Sequence, residues 1–590
     1  MTKTKPNQLL DLLLQKGLAL HQSDKLDEAK AIYQQILSIE PNHFNALQLL
    51  GTLLLKTKDF VQALDLLNKA IKIKPEYPNT YSNKGNVLNE LKRYEEALLN
   101  YDKAISIQPI YPSAHSNRGI VLTKLKRFEE ALTSYDKAIS IQQNYLDAHF
   151  NRGITLKELG RFEEALTSYD MAISIQPNYL DAHFNRAVVL TELTRLDEAL
   201  ACYDKIIATL PNYAGAHSNR GIVLSKLKRF EEALTSYDKA ISIQPTYIDA
   251  ISNRGVALKE LKRLDEARDC YNKAISLQPD YADAHRNLSI LNLLTGNYED
   301  GWKQNEWRWK TNINQKKFNQ PLWLGEQSLK DKTILLYAEQ GLGDTIQFSR
   351  YVPLVARLGA KVILEVPKNL VNLLKNLEGL DTIIQKGEAL PMFDYQCPLL
   401  SLPLAFKTNL SNIPPISLNF KTDRDKISKW HNKLNKKSNP LIGIVWSSIS
   451  HYKNDYLRSI TLSELLKALP TEGFDYVCLQ KEIKEIDKET LVNNPHIKFF
   501  GDDINDFSDD AHLIECVDLV VSTCTSVPHL SSSLGKETWW LLSYVPDWRW
   551  LIDRNDSPWY PAAKLYRQEK INDWDSVFKN IKFDLEKKFK

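Results

Sequence analysis

Between residues 10 and 310, apolar and small residues recur as pairs of helical stripes, and the pairs themselves recur every 34 residues. In residues 114–143, Ala114, Gly119, Leu122 and Leu125 mark one stripe. Phe128, Ala131, Leu132, Tyr135, Ala138 and Ile139 mark a second at i, i+3, i+4 spacing, which predicts two amphipathic helices. Gly119, Ala131 and Ala138 are small where the antiparallel helices must approach closely. Prolines at 41, 75, 109, 177, 211, 245 and 279 keep intervals of 34 or twice 34, with Gln143 in the vacant slot. A proline cannot continue a helix, so each one closes a unit and turns the chain into the next. Gly17, Gly51, Gly85, Gly119, Gly153, Gly221 and Gly255 keep the same step, with Ala187 and Ser289 in the gaps. Such self-similarity predicts an all-α solenoid over residues 1–310, about nine units with the last a cap.

Near residue 332 the period changes. Short apolar and β-branched runs stand at 333–338, 361–366, 381–385 and 393–397, separated by amphipathic stretches. A second series follows at 441–446, 476–479, 497–500, 519–523 and 537–542. Strand–helix alternation in two blocks predicts two parallel-sheet lobes with a cleft between them, at 332–420 and 441–590. Segments 311–331 and 421–440 read as linkers, and Trp302, Trp307 and Trp309 are placed to seal the open end of the solenoid.

Composition narrows the function by exclusion. The 590 residues are 43% hydrophobic and 25% charged, enough apolar material for real cores. Their formal net charge of +3 argues against a dedicated nucleic-acid binder. No apolar run reaches the roughly 18 residues of a membrane span, and the leucine-containing start is broken by Asp11, Gln15 and Lys16. The six cysteines are scattered without a CxxC spacing, so neither a disulfide framework nor a zinc knuckle is indicated. A cytoplasmic protein is expected.

Three features carry candidate chemistry. Asn83, Asn117, Asn151, Asn185, Asn219, Asn253 and Asn287 recur two residues before the glycine position or its equivalent. Amides offer a donor and an acceptor to a peptide backbone, and they equally satisfy bonds between repeats. His115, His149, His183, His217 and His285 recur at a packing position. The second feature is Gln340-Gly341-Leu342-Gly343-Asp344, between a strand and a helix. Its glycines let backbone N–H groups approach an anion, and Asp344 reads either as a general base or as a helix N-cap. The third is the strand-to-helix turn 522–529, where Thr525 and Ser526 at a helix start suit a diphosphate and His529 is a further donor. Arg458, Gln480 and Lys481 are further candidates for the donor side, with Trp446 as a stacking platform for a base or sugar. The Asp423–Asp425 and Asp573–Asp575 pairs each open a polar helix, so capping is favoured over a metal site.

Two resemblances give these features a frame. Gly85, Ala97, Tyr101, Ala104, Pro109 and their counterparts resemble the tetratricopeptide repeat (TPR). The asparagine row is similar to the ladder in the superhelix of O-linked N-acetylglucosamine transferases, which implies a peptide groove and a protein partner. The segments AEQGLGDTIQFSRYVPLV, GIVW, Arg458–Ile460, Leu479–Glu482, TSVPHLSSSLGK and YVPDWRWLIDRNDSPWYP resemble the family-9, heptosyltransferase-like glycosyltransferases. That resemblance implies a GT-B fold with two Rossmann-like lobes. It also implies an inverting, metal-independent transfer from a nucleotide sugar, with no other cofactor. It places the base at Asp344, the loop glycines Gly341 and Gly343 beside the donor, and the donor phosphates at Thr525, Ser526 and His529. Arg458 or Lys481 would meet the charge of the leaving diphosphate. Cys524 stands where the family has aspartate, and Pro528 where it has a small residue. The alternative is a non-catalytic TPR scaffold with a degenerate transferase region.

Overall fold

The computed structural model describes residues 6–311, 318–416, 423–435, 439–448 and 458–589. Contact density divides the chain at Leu227/Lys228, inside the repeat array and not at its end.

The first unit is helical throughout. Paired helices begin at Pro6–Gln22 with Leu26–Ile39 and continue through Phe44–Lys56 with Phe60–Ile73 to Leu180–Glu192 with Leu196–Thr209, before Ala214–Lys226. The regular glycine is explained by its partner helix. A Cβ on Gly85, Gly119 or Gly153 would lie 2.6 Å from the ring of Tyr101, Tyr135 or Tyr169, sixteen residues on. Those tyrosines are almost fully buried, as are Ala97, Ala131 and Ala165.

The second unit opens with the rest of the array, Phe230–Ile243, Ile248–Glu260 with Leu264–Leu277, and Ala282–Leu294 with Tyr298–Asn305. It then forms two sheets, both wholly parallel. The first comprises β1 (Thr333–Tyr337), β2 (Lys361–Val366), β3 (Thr382–Gln385) and β4 (Tyr395–Pro398), in the order β3-β2-β1-β4. The second comprises β5 (Leu441–Val445), β6 (Asp475–Cys478), β7 (Ile497–Phe499), β8 (Leu519–Thr523), β9 (Thr538–Leu542) and β10 (Ala563–Arg567), in the order β10-β9-β8-β5-β6-β7. Every residue of β5, β8 and β9 is buried, as expected of strands covered on both faces. Val445, Val520 and Trp540 share one core with Ile334 and Leu336 of the first sheet. Ile444, Val521 and Trp539 face the other way, onto Val577, Phe578 and Ile581 of the C-terminal helix Trp574–Phe589. Strand β10 escaped the sequence reading because AKLYR mixes charges into a short run.

Both segments read as linkers carry packed structure. Residues 312–317, 417–422 and 436–438 lie outside the described residues. In the first segment Trp323 and Leu329 are buried, and the Trp323 N–H bonds Gln396 O at 2.9 Å along the edge of the first sheet. In the second, Arg424–Leu434 is a helix with buried Trp430 and Leu434, capped by Asp423 on the N–H groups of Asp425 and Lys426. Its high charge hid two apolar anchors. Asp573 likewise accepts from Ser576 N at 3.1 Å, at the start of the last helix.

Candidate functional site

In each sheet the strand order changes direction at one point. The chain passes from β1 outward to β2 and β3 and then to β4 on the other side of β1; in the second sheet the reversal lies between β5 and β8. Crevices outside the carboxyl ends of such strands are where parallel sheets hold ligands. The loop after β1 and the turn after β8 therefore stand where a site is expected, and the helices they open, Leu342–Phe348 and Ser526–Ser533, pack on each other.

Gly343 is the point of contact. A Cβ there would come within 2.7 Å of His529 Cδ2, so this glycine admits a neighbouring helix. The His529 ring is buried, pairs through Nδ1 with Tyr560 Oη at 2.8 Å and stacks on Trp550. Burial, with Arg549, Arg350 and Arg458 nearby, holds its pKa well below the ordinary histidine value. The ring is held neutral where the two helices meet.

Asp344 is held from two sides. Oδ2 accepts from Gly341 N at 3.1 Å, so the N-cap is Gly341 and not Asp344, which is the third helical residue reaching back to it, and Oδ1 accepts from Arg549 Nη2. Arg549 also donates through Nη1 to Asp547 at 2.8 Å and through Nε to Gln347. Burial raises the Asp344 pKa, and the Arg549 charge opposes that rise. The side chain is still 20% exposed. Arg549 was missed by the sequence reading, because one arginine in a tryptophan-rich segment carries no pattern of its own.

At the β8 turn, Thr525 precedes its helix with a buried hydroxyl that has no hydrogen-bond partner among the described residues, and Thr523 Oγ1 likewise has none among them. Ser526 opens the helix half-buried. Cys524 is held protonated, since burial pushes its thiol up to about 11. Gln480 accepts from Trp446 N at 2.7 Å and Ser447 N at 3.1 Å, so it shapes the chain leaving β5. Lys481 is exposed and reaches Asn505 O at 3.4 Å. Arg458 acts on the charges of both Asp344 and Cys524. Trp446 is a correction: it is fully buried in the core beneath the C-terminal helix, with its indole N–H on Asp487 at 2.9 Å. An apolar ring ending a buried strand belongs to the layer beneath the sheet, and no face is left for stacking.

In the array the asparagines are half-buried and their amides are used in several ways. Asn83 donates to Thr52 at 2.8 Å and Asn117 to Asn86 at 2.9 Å, both between repeats. Asn151 and Asn185 donate backward to Asp147 O and Asp181 O of their own helices, Asn185 also accepts from Lys157 Nζ at 3.4 Å, and Asn219 donates to Tyr203 Oη at 3.3 Å. In the second unit Asn253 is also half-buried, and Asn287 lies 3.4 Å from Ser252 Oγ. The histidines are structural. Nε2 of His149, His183 and His217 meets the carbonyl of Gln143, Pro177 and Pro211 at 2.8 to 2.9 Å, holding the turn that the proline opens. A further ladder went unread: Arg118, Arg152, Arg186 and Arg220 each pair with Asp102, Asp136, Asp170 and Asp204 of the preceding repeat at 2.6 to 2.7 Å. The recurring Asn-Arg pair, with Asp sixteen residues before the Arg, was its signal.

Comparison with known proteins places the array. Tetratricopeptide repeat models match residues 20–82, 85–126, 111–178, 150–214, 214–247 and 248–281. Protein FlbA of Caulobacter vibrioides (strain ATCC 19089 / CIP 103742 / CB 15) is 24% identical over 320 residues, covering 49% of this chain and 52% of FlbA. The chain thus spans about half the length of that curated relative. Among solved structures, YrrB, described as a TPR protein with an unusual peptide-binding site, is 29% identical over 31% of this chain and 95% of its own, with a TM-score of 0.29. The Cut9–Hcn1 assembly of the APC/C matches at 17% identity, covering 48% of this chain and 55% of that one, with a TM-score of 0.35. Residues 20–281 are an array of tetratricopeptide repeats.

Proposed function

We propose that the chain is a glycosyltransferase of GT-B type that moves a sugar from a nucleotide-sugar donor to an acceptor hydroxyl, with the repeat array recruiting a protein acceptor or partner. The observation that carries this reading is the convergence of two strand-to-helix turns, one from each parallel sheet, with Arg549 and Asp344 joined where they meet. On this reading the diphosphate lies at the β8 turn, where the Thr525 hydroxyl and the N-terminus of the Ser526–Ser533 helix supply donors. Arg458 adds positive charge as the leaving group departs. Asp344 takes the acceptor proton once Arg549 releases one carboxylate oxygen. The array offers the half-buried Asn151 and Asn185 amides, which donate to carbonyls of their own helices, to a peptide backbone.

The competing reading, a repeat scaffold with a non-catalytic α/β region, is favoured by the occupied oxygens of Asp344 and by Cys524 at the turn. Thermal shift with a panel of nucleoside diphosphates and nucleotide sugars separates the two. Stabilisation by one nucleotide class supports the transferase, and none with any of them supports the scaffold.

A further inference from the structure

The crevice between the carboxyl ends of β1 and β4 holds a group that comes from the repeat array. Arg308, in the turn of helix Arg308–Thr311 that ends the array, lies with its side chain 6% exposed. Its Nη2 donates to Glu339 at 2.9 Å and to Ser401 Oγ at 2.8 Å, and its Nη1 donates to Glu306 at 2.6 Å. Glu339 is the second residue after β1, and Ser401 the third after β4. One guanidinium therefore bridges the ends of the two strands at the point where the sheet order reverses. Ser401 completes the ring by donating to Glu306 at 2.8 Å.

The array is fixed here by more than charge. The Trp302 indole donates to Thr408 O at 3.0 Å and the Trp559 indole to Tyr298 Oη at 3.1 Å. Helix Ala282–Leu294 packs on the Trp548–Trp550 turn that carries Arg549. The last repeat thus meets the two segments that carry the Arg549–Asp344 pair, the Trp548–Trp550 turn and, at Glu339, the chain leaving β1.

We infer that Arg308 is a positioning residue supplied by the repeat array, which through Glu339 fixes the 339–344 loop so that Asp344 meets Arg549. Any role in transfer rests on the reading above, while the positioning itself does not. The array's last repeat is then a structural part of the site, and not a separable recruiting arm. A buried guanidinium with a fixed fork of donors suits this bridge. Losing it would leave Glu339 and Glu306 buried without their cation.

Hydrogen–deuterium exchange on the full chain tests this. In Arg308→Gln the amides of residues 341–345 should exchange about tenfold faster or more, while those of β8 stay as in the wild type. Glu339→Gln keeps an oxygen for Arg308 and should leave the same amides within about twofold of wild type. If Arg308→Gln does not fold, Ser401→Ala, which removes one guanidinium partner, should show the same local acceleration with smaller size. Unchanged exchange at 341–345, or equal acceleration in β8, overturns the proposal. Local acceleration in a protein that binds no nucleotide sugar would sink the transferase reading and leave the positioning role standing.

Discussion

Arg549 donates to Asp344 across the two sheet layers, joining the turn after β9 to the first turn of the helix after β1. The arginine side chain is 9% exposed and the aspartate 20%. A pair this enclosed is stabilising only while both charges are present. Asp344 therefore does structural work whatever its chemistry.

Replacing Asp344 with Asn keeps the cap geometry but leaves Arg549 with Asp547 as its remaining carboxylate. A lost hydrogen bond to a buried charge costs about 1.5–3 kcal/mol, so the melting temperature should fall measurably. Asp344→Asn combined with Arg549→Gln should cost less than the sum of the two single changes, because each removes the same interaction. If Asp344 is the base, transfer falls by a further factor of about 10²–10⁴. Additive stability losses in a double-mutant cycle would show that the pair contributes nothing.

The asparagine row makes a second expectation. Asn151 and Asn185 donate to carbonyls of their own helices, and Asn185 adds one long contact from Lys157 at 3.4 Å, so changing both to Ala should alter stability by no more than about 0.5 kcal/mol. Partner capture by the full chain should nonetheless weaken if these amides grip a peptide backbone. Equal capture by the variant and the wild type, with matching circular dichroism, would leave the row a purely structural feature.

The boundary of the array yields a third. The regular repeat suggests a cut near residue 310, yet the chain divides at 227/228. Tyr298 and Trp302 are 1% and 2% exposed because the sheets and the 408 loop cover them. A fragment ending at 227 should be helical and monomeric, whereas one ending at 310 exposes both rings and should aggregate. Size-exclusion chromatography of the two fragments decides it; a well-behaved 310 fragment would mean that the aromatic cap closes on itself.

The legibility of these features follows their range in the chain. The glycine–tyrosine contact joins residues sixteen apart and recurs at Gly17, Gly85, Gly119, Gly153 and Gly255, with Leu67 facing Gly51, so it was readable as a period. Nine of the strands were readable as short apolar or β-branched runs, most plainly β5, β8 and β9, whose residues are all buried. The Arg308–Glu339 and Arg549–Asp344 pairs join residues 31 and 205 apart and occur once each. A single charged residue looks solvated in sequence, and only the fold reveals that it is enclosed. Trp446 misled for the opposite reason: an aromatic beside a candidate loop resembles a platform, although it belongs to the core beneath the sheet.

The last expectation concerns pH. Burial pushes the Glu339 carboxyl up to about 7, against the pull of Arg308 and with Glu306 and Asp344 raising it further. In the unfolded chain this group titrates near 4.5. Between those values the folded protein holds a proton that the unfolded chain has released, so the contribution of Glu339 to stability falls as pH rises from about 4.5 to 7 and is flat above. The full difference amounts to about 3 kcal/mol. Glu339→Gln mimics the protonated form and cannot titrate. It should therefore equal or exceed the wild type in stability at pH 8, with the gap closing toward pH 5. Chemical denaturation across that range measures the gap directly. A variant less stable than wild type at pH 8 would mean that the charged Glu339–Arg308 pair outweighs its own desolvation.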